Sequence, residues 1–260
     1  RSRQQAAELI GAGRVTIDGM PAAKPATAVA VTSALVVATT GERTWVSRGA
    51  HKLIGALEAF GVDVSGRRCL DAGASTGGFT EVLLDRGAAE VVAVDVGYGQ
   101  LAWSLRSDAR VRVIERTNVR ELTPVAIDGV VDLVVADLSF ISLCTVLPAL
   151  IACAAVDADI VPMVKPQFEV GRDQVGPGGV VTDPTLRAAA VLAVADRAGG
   201  LGWRTVGVTA SPLPGPSGNV EYFLHLRAQV VDRDDATQAD TLGAEVLGAE
   251  VLRAVAEGPQ

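Results

Sequence analysis

The stretch Cys69-Leu70-Asp71-Ala72-Gly73-Ala74-Ser75-Thr76-Gly77-Gly78-Phe79-Thr80 decides the fold. Arg67 to Asp71 reads as a short buried strand, and Gly73, Gly77 and Gly78 as a turn with little side-chain bulk. Phe79 to Leu84 reads as a helix with Phe79, Val82 and Leu83 on its apolar face, ended by Gly87. A strand, a Gly-rich turn and a helix N-terminus leave backbone N–H groups and room for a ligand to approach the main chain. Glu90 to Val94 is a second apolar strand, and it ends at Asp95. A carboxylate placed there, about 20 residues on, can accept both hydroxyls of a ribose.

The glycine spacing separates the possible nucleoside ligands. The dinucleotide fingerprint G-x-G-x-x-G lacks its second glycine here, because the loop runs Gly73-x-x-x-Gly77-Gly78, and no Lys-Ser/Thr follows to make a P-loop. The loop fits the pattern that holds S-adenosyl-L-methionine (SAM) in methyltransferases. Candidate cofactor contacts are therefore Asp71, Gly73, Ala74, Ser75, Thr76, Gly77, Gly78 and Phe79 in the motif, and Asp95, Asn118 and Asp137 at later strand ends.

The strand–helix alternation continues along the chain. Val111 to Glu115 is a third strand, leading to Asn118; Val131 to Ala136 is a fourth, ending at Asp137; Ile160 to Val164 is a fifth, ending at Lys165. Asp183-Pro184 opens a helix to about Gly199, and Trp203 to Thr209 and Val220 to Leu226 are the last two strands. The expected fold is α/β, a Rossmann-like, seven-stranded, mostly parallel sheet with its chemistry at the carboxyl ends of the strands.

The 260 residues allow one large domain and a small one, and 49% hydrophobic content supplies the core. Cys69, Cys144 and Cys153 lie in apolar segments without CxxC spacing, which predicts a reducing, cytoplasmic setting and no structural zinc. Leu138 to Val156 is 19 residues without charge, long enough to raise the question of a membrane span. Its Ser139, Ser142, Thr145 and Pro148, and the strand before it, favour a helix buried against a sheet. The net charge of −7 is poor for a nucleic-acid binder, but residues 1–52 hold seven Lys/Arg against three Asp/Glu, a net +4. The basic charge is concentrated where a nucleic-acid surface is expected.

Residues 1–40 resemble the second half of an S4-like RNA-binding domain: a helix from a Ser2 cap with Ala6, Leu9 and Ile10 on one face, the strand Val15-Thr16-Ile17, the Asp18-Gly19 turn, and a strand at Ala34 to Val37. The chain begins at Arg1 without Met, so the first half of such a domain is expected to be missing. Arg1, Arg3, Arg14 and Lys24 are the candidate phosphate contacts, which give affinity but little sequence choice. A linker over 41–47 precedes the catalytic domain at 48–228. Ser47 is expected to cap a helix with Ala50, Leu53, Ile54 and Leu57 on its inner face and Lys52 near its positive end. Residues 229–260 read as an acidic connector and an amphipathic helix with Leu242, Val246, Leu247 and Val251.

The fourth strand end narrows the reaction. Amino-group methyltransferases carry Asp/Asn-Pro-Pro-Tyr there, whereas this chain has Asp137-Leu138-Ser139-Phe140. None of the cysteines is placed to serve as the nucleophile of a cytosine C5 enzyme. What remains is Asp137 with Lys165, which suits orienting or deprotonating a hydroxyl.

Long strings then identify a family resemblance: Ser47-Arg48-Gly49-Ala50-His51-Lys52-Leu53, the Asp71-to-Thr80 motif, Asp137-Leu138-Ser139-Phe140-Ile141-Ser142-Leu143, Lys165-Pro166-Gln167-Phe168-Glu169 and Gly215-Pro216-Ser217-Gly218-Asn219-Val220-Glu221. The chain resembles the TlyA family of rRNA 2′-O-methyltransferases, also called hemolysins, within the wider FtsJ-like group. The resemblance implies a Lys-Asp-Lys-Glu catalytic tetrad at Lys52, Asp137, Lys165 and Glu221. It also implies SAM as cofactor, ribosomal RNA of both subunits as partner, cytidine ribose as substrate, no metal, and a link to capreomycin sensitivity. A lytic membrane protein and a non-catalytic RNA-binding module are the competing readings.

Overall fold

The computed structural model describes residues 3–22, 24–30, 32–37, 45–229 and 243–259. The chain divides into two compact units, Arg1–Val46 and Ser47–Gln260.

The first unit holds helix α1 (Arg3–Gly11) and strands β1 (Val15–Ile17), β2 (Met20–Pro21) and β3 (Leu35–Val37) in the antiparallel order β2-β1-β3. Asp18 and Gly19 turn the chain between β1 and β2 with positive φ, and Asp18 Oδ1 accepts from Ala34 N at 2.7 Å. Leu9 and Ile10 of α1 are half-buried and Ala6 is exposed; no α1 residue is fully buried. Arg1 and Ser2 lie outside the described residues.

The second unit opens with α2 (Gly49–Phe60), closed by Gly61 in the left-handed region. There follow β4 (Arg68–Ala72), α3 (Gly78–Asp85), β5 (Glu90–Val94), α4 (Trp103–Arg106), β6 (Val111–Ile114), β7 (Val131–Ala136), α5 (Leu143–Ala152), β8 (Ala154–Val164), α6 (Pro166–Glu169), α7 (Pro184–Gly199), β9 (Trp203–Ala210), β10 (Tyr222–Ala228) and α8 (Ala244–Glu257). The seven strands run in the order β6-β5-β4-β7-β8-β10-β9. All neighbours are parallel except β10, which is antiparallel to both β8 and β9. The expected Rossmann-like, seven-stranded, mostly parallel sheet is the observed one. Its central strands are nearly continuous apolar runs because helices cover both faces. Leu70, Val92, Val134 and Ile160 are fully buried, packed with Leu147 of α5, Val191 of α7 and Val251 of α8.

Local readings differ in three places. The uncharged run at 138–156 is not one helix: residues 138–142 form a loop, α5 has ten residues with Pro148 inside, and β8 starts at Ala154. Apolar residues without period cannot tell a helix from a buried strand, so the join was hidden. Ser47 does not cap α2; the residue before the helix is Arg48, without a side-chain cap hydrogen bond. Ser47 instead sits over Gly78, where an added Cβ would lie 2.1 Å from its Oγ. The last strand starts at Tyr222, so Glu221 stands at its mouth rather than inside it. In α8, Val251 is buried and Val246 is exposed, while Leu242 lies outside the described residues.

Candidate active site

Strand register brings the site residues to one rim. Ala72 of β4 lies beside Val94 and Ala136, so Gly73, Asp95 and Asp137 are each the next residue of neighbouring parallel strands. Gly73 N and Ala74 N donate to Val94 O at 2.8 and 3.1 Å, and Asp137 N donates to Ala72 O at 3.0 Å. On the antiparallel side Tyr222 faces Val164, so Glu221 and Lys165 occupy the adjoining positions.

The Gly-rich turn is bare for steric reasons. Gly73 has φ +89°, and a Cβ there would lie 2.5 Å from the Asp137 carbonyl oxygen. Gly77 has φ +100°, and a Cβ would meet Leu105 Cδ1 at 2.2 Å. Only glycine allows the loop after β7 and the segment around α4 to close on this turn. Helix α3 then starts without a side-chain cap, so its first N–H groups face the turn.

Asp71 is fully buried beneath that turn. Its Oδ2 accepts from Thr80 Oγ1 at 2.6 Å, while Oδ1 is buried without a partner. Burial pushes this carboxyl up to about 7; the Asp137 and Asp95 charges add to the rise and the Thr80 hydroxyl opposes it. Asp95 accepts from Ser75 N at 2.8 Å and Gly97 N at 2.6 Å. A carboxylate has about four lone-pair sites, so Asp95 retains capacity for ribose hydroxyls. Beside it lies a shallow cleft lined by Ala74, Ser75, Asp95, Gln100, Leu101 and Glu115, among others. Asn118 is exposed, and its Oδ1 accepts from Arg120 N to cap a 3₁₀ turn, so part of that side chain has a local role. Thr76 and Phe79 belong to the same turn and helix start, Phe79 with its ring 6.2 Å from that of Phe223.

Two lysine–carboxylate pairs occupy the rim. Lys52 of α2 and Glu221 are both buried, and Lys52 Nζ donates to Glu221 Oε2 at 2.5 Å. Gly215 makes room for that carboxylate, since a Cβ there would lie 2.6 Å from Glu221 Oε1. Lys165 Nζ lies 2.6 Å from Asp137 Oδ1, a close ion pair without aligned hydrogen-bond geometry, and donates to Ser139 Oγ at 3.1 Å. Asp137 is the more exposed member of that pair.

The candidate RNA contacts belong to the first unit. Arg3 is exposed on α1, Arg14 is half-buried before β1, Lys24 is exposed after β2, and Arg1 is outside the described residues. Among the described residues, no group of three or more His, Cys, Asp or Glu is placed to hold a metal.

Sequence reasoning missed three residues. Thr80 holds Asp71; its signal was its place one helical turn into the motif. Asn219 pins the loop after α6, accepting from Val181 N at 2.9 Å and donating to Gly179 O at 2.8 Å. Glu169 closes the 165–169 turn onto α5.

A glycine turn under a helix start, a carboxylate at the end of the second parallel strand and two lysine–carboxylate pairs share one rim of a Rossmann-like domain, the architecture of a methyltransferase. The chain belongs to the FtsJ-like methyltransferase family, which residues 45–228 match. It is 74% identical over 259 residues to the Mycobacterium tuberculosis 16S/23S rRNA (cytidine-2′-O)-methyltransferase TlyA, covering 100% of this chain and 94% of that one. Hemolysin A of Brachyspira hyodysenteriae is 36% identical over 225 residues, 86% of this chain and 93% of its own. A solved structure of a hemolysin-labelled protein from Streptococcus thermophilus superposes with a TM-score of 0.77 at 36% identity, over 98% of this chain and 91% of that one.

Proposed function

We propose that this protein transfers a methyl group from SAM to the ribose 2′-hydroxyl of cytidines in 16S and 23S ribosomal RNA, and so works in the cytoplasm. The observation that carries the reading is the buried Lys52–Glu221 pair beside the Lys165–Asp137 pair, at the mouth of a Gly-rich nucleoside turn. Near-full-length identity of 74% to an enzyme named for that reaction supports the substrate.

The turn suits SAM: Gly73 and Gly77 leave it no side-chain bulk, and the unpartnered Asp71 oxygen lies beneath it. When bound, SAM supplies a methyl group on a sulfonium, open to in-line displacement. Gly73 to Phe79 would line its methionine part, Asp95 would hold its ribose and Asn118 would meet its adenine edge. Much of the catalysis is positioning, because the new O–CH₃ bond forms in line with the S–CH₃ bond that breaks. Lys165, as its neutral amine and oriented by Asp137 and Ser139, would take the proton of the hydroxyl as the oxygen accepts the methyl group. Lys52, fixed by Glu221, holds the ribose oxygen in line. Arg1, Arg3, Arg14 and Lys24 of the 1–40 domain grip phosphates and bring the RNA to the 48–228 domain.

A lytic function has the name of a relative in its favour. Among the described residues, no helix is long and apolar enough to cross a membrane.

The test is methyl transfer from labelled SAM to separated, unmethylated small and large ribosomal subunits, with nuclease digestion to locate the label. Label in 2′-O-methylcytidine is the expected result. Measurable SAM binding with label elsewhere, or with none, overturns the substrate; no SAM binding overturns the reading of the Gly-rich turn.

A further inference from the structure

Two loops on the rim carry the Lys165–Asp137 pair: residues 137–142 behind β7 and residues 165–169 behind β8. Three contacts join them. At the active-site end Lys165 meets Asp137 and Ser139. In the middle the rings of Phe140 and Phe168 lie 5.3 Å apart. At the far end Glu169 Oε2 accepts from Ser142 Oγ at 2.6 Å and Oε1 accepts from Leu143 N at 2.7 Å.

We propose that Glu169 is a positioning residue for methyl transfer, which sets the geometry of Asp137 and Lys165 by tying the loop behind β7 to the turn behind β8. The inference rests on Lys165 as the base of the proposed reaction.

The loop behind β7 needs an anchor on each side of Phe140. Phe140 has φ +63°, a left-handed conformation that bulky residues rarely adopt, and it is 91% exposed, so its own packing does little to hold it there. Such strain persists only when the surroundings over-determine it. The Lys165 contacts restrain the loop before Phe140, and Glu169 restrains it after. Without the second anchor, relaxation at Phe140 moves Asp137 relative to Lys165.

A carboxylate is the group that this anchor requires. Both of its partners are donors, and Ser142 Oγ also accepts from Cys144 N at 3.1 Å, so its hydrogen is directed at Glu169. A negative charge at the first turn of the ten-residue α5 is also favourable. Burial pushes the Glu169 carboxyl up, with the Ser142, Leu143 and Cys144 hydrogen bonds opposing it. Burying a carboxyl at this place carries a desolvation cost that a residue serving only to fill space does not bear.

The variant that tests this is Glu169→Gln, which keeps the size and turns an N–H₂ toward one of two donors. Hydrogen exchange is expected to quicken in 137–143 and 165–169 and to stay as in the wild type elsewhere. In methyl transfer, kcat is expected to fall about 10- to 100-fold, as small misplacements of reacting groups do, with KM for RNA and SAM affinity unchanged. In a Lys165→Ala background the same change is expected to cost no further rate, because the two act as a unit. Ser142→Ala, which removes one donor and leaves the charge, is expected to give a smaller fall of the same kind, and Glu169→Asp to recover part of the rate. Wild-type kcat in Glu169→Gln, a loss that adds to that of Lys165→Ala, or exchange quickened evenly along the chain overturns the inference. If the wild type transfers no methyl group, the functional reading has failed, and the exchange pattern still decides whether Glu169 joins the two loops.

Discussion

Two buried aspartates, Asp159 and Asp71, near opposite ends of the seven-stranded sheet, are held in opposite ways. Where β4 and β7 begin, Asp159 is 1% exposed and fully engaged: Arg227 Nε donates at 2.7 Å, Arg67 Nη1 donates at 2.5 Å, and His225 Nε2 lies at 2.7 Å. Arg68 is similarly occupied by Glu90 and by the carbonyls of Val130 and Ile127. At the opposite rim, Asp71 keeps a buried oxygen without a partner, and Asp137 meets Lys165 without an aligned hydrogen bond. A satisfied buried network fixes a structure, whereas a buried acceptor left open costs about 1–3 kcal/mol and calls for an explanation. On the proposed function, the difference separates a charge that holds the sheet from charges kept ready for a ligand.

Substitution at each end should therefore fail in a different measurement. Lys165→Ala is expected to lower the methyl-transfer rate about 10²- to 10⁴-fold, the usual span for a lost general base, with melting temperature and SAM affinity near those of the wild type. A stability loss without a rate loss would move Lys165 to the structural side of the comparison. Asp159→Ala should do the reverse. It leaves His225 and two arginines without their acceptor, and urea unfolding should show a loss of about 3 kcal/mol, below the upper range for buried pairs because Arg227 is half exposed. Unchanged stability would remove the contrast between the two ends.

The fold was legible because its signals are periodic and local. The apolar runs at Val91 to Val94 and Val131 to Ala136 lie between turn residues, and the Asp183-Pro184 start of α7 is seen as a cap, with Asp183 accepting from Thr185 N. The rim was legible as a set of strand ends, since a parallel sheet brings successive carboxyl ends together. The pairings were not. That Lys52 reaches across 169 positions to Glu221 depends on β10 running antiparallel to β8, which hydrophobic period does not encode. The resemblance named both residues; the residues alone did not join them. Glu169 and Asn219 were illegible for a similar reason, because each binds backbone atoms of another loop, and any residue type could supply those atoms. At 138–156, uniform apolarity concealed a loop, a helix and a strand within one run.

The mildest change tests the contrast through pH. The unfolded chain gives up the Asp71 proton near 3.8, whereas the folded chain holds it to about 7 because burial disfavours the charge. Between those values the folded state binds more protons, so the stability from this group is complete at the acid end and declines as pH rises toward 7. Asp159 slopes the other way. Its arginine and histidine partners outweigh burial and hold its carboxyl well below the usual range, so its contribution is present above about 4 and is lost as pH falls. Asp71→Asn keeps the shape and the Thr80 contact but has no proton to lose. Urea unfolding at pH 5 and pH 8 should show a smaller loss of stability with rising pH in this variant than in the wild type. An equal loss in both would mean that the second oxygen of Asp71 finds a partner in the folded protein, and Asp71 would then be as satisfied as Asp159.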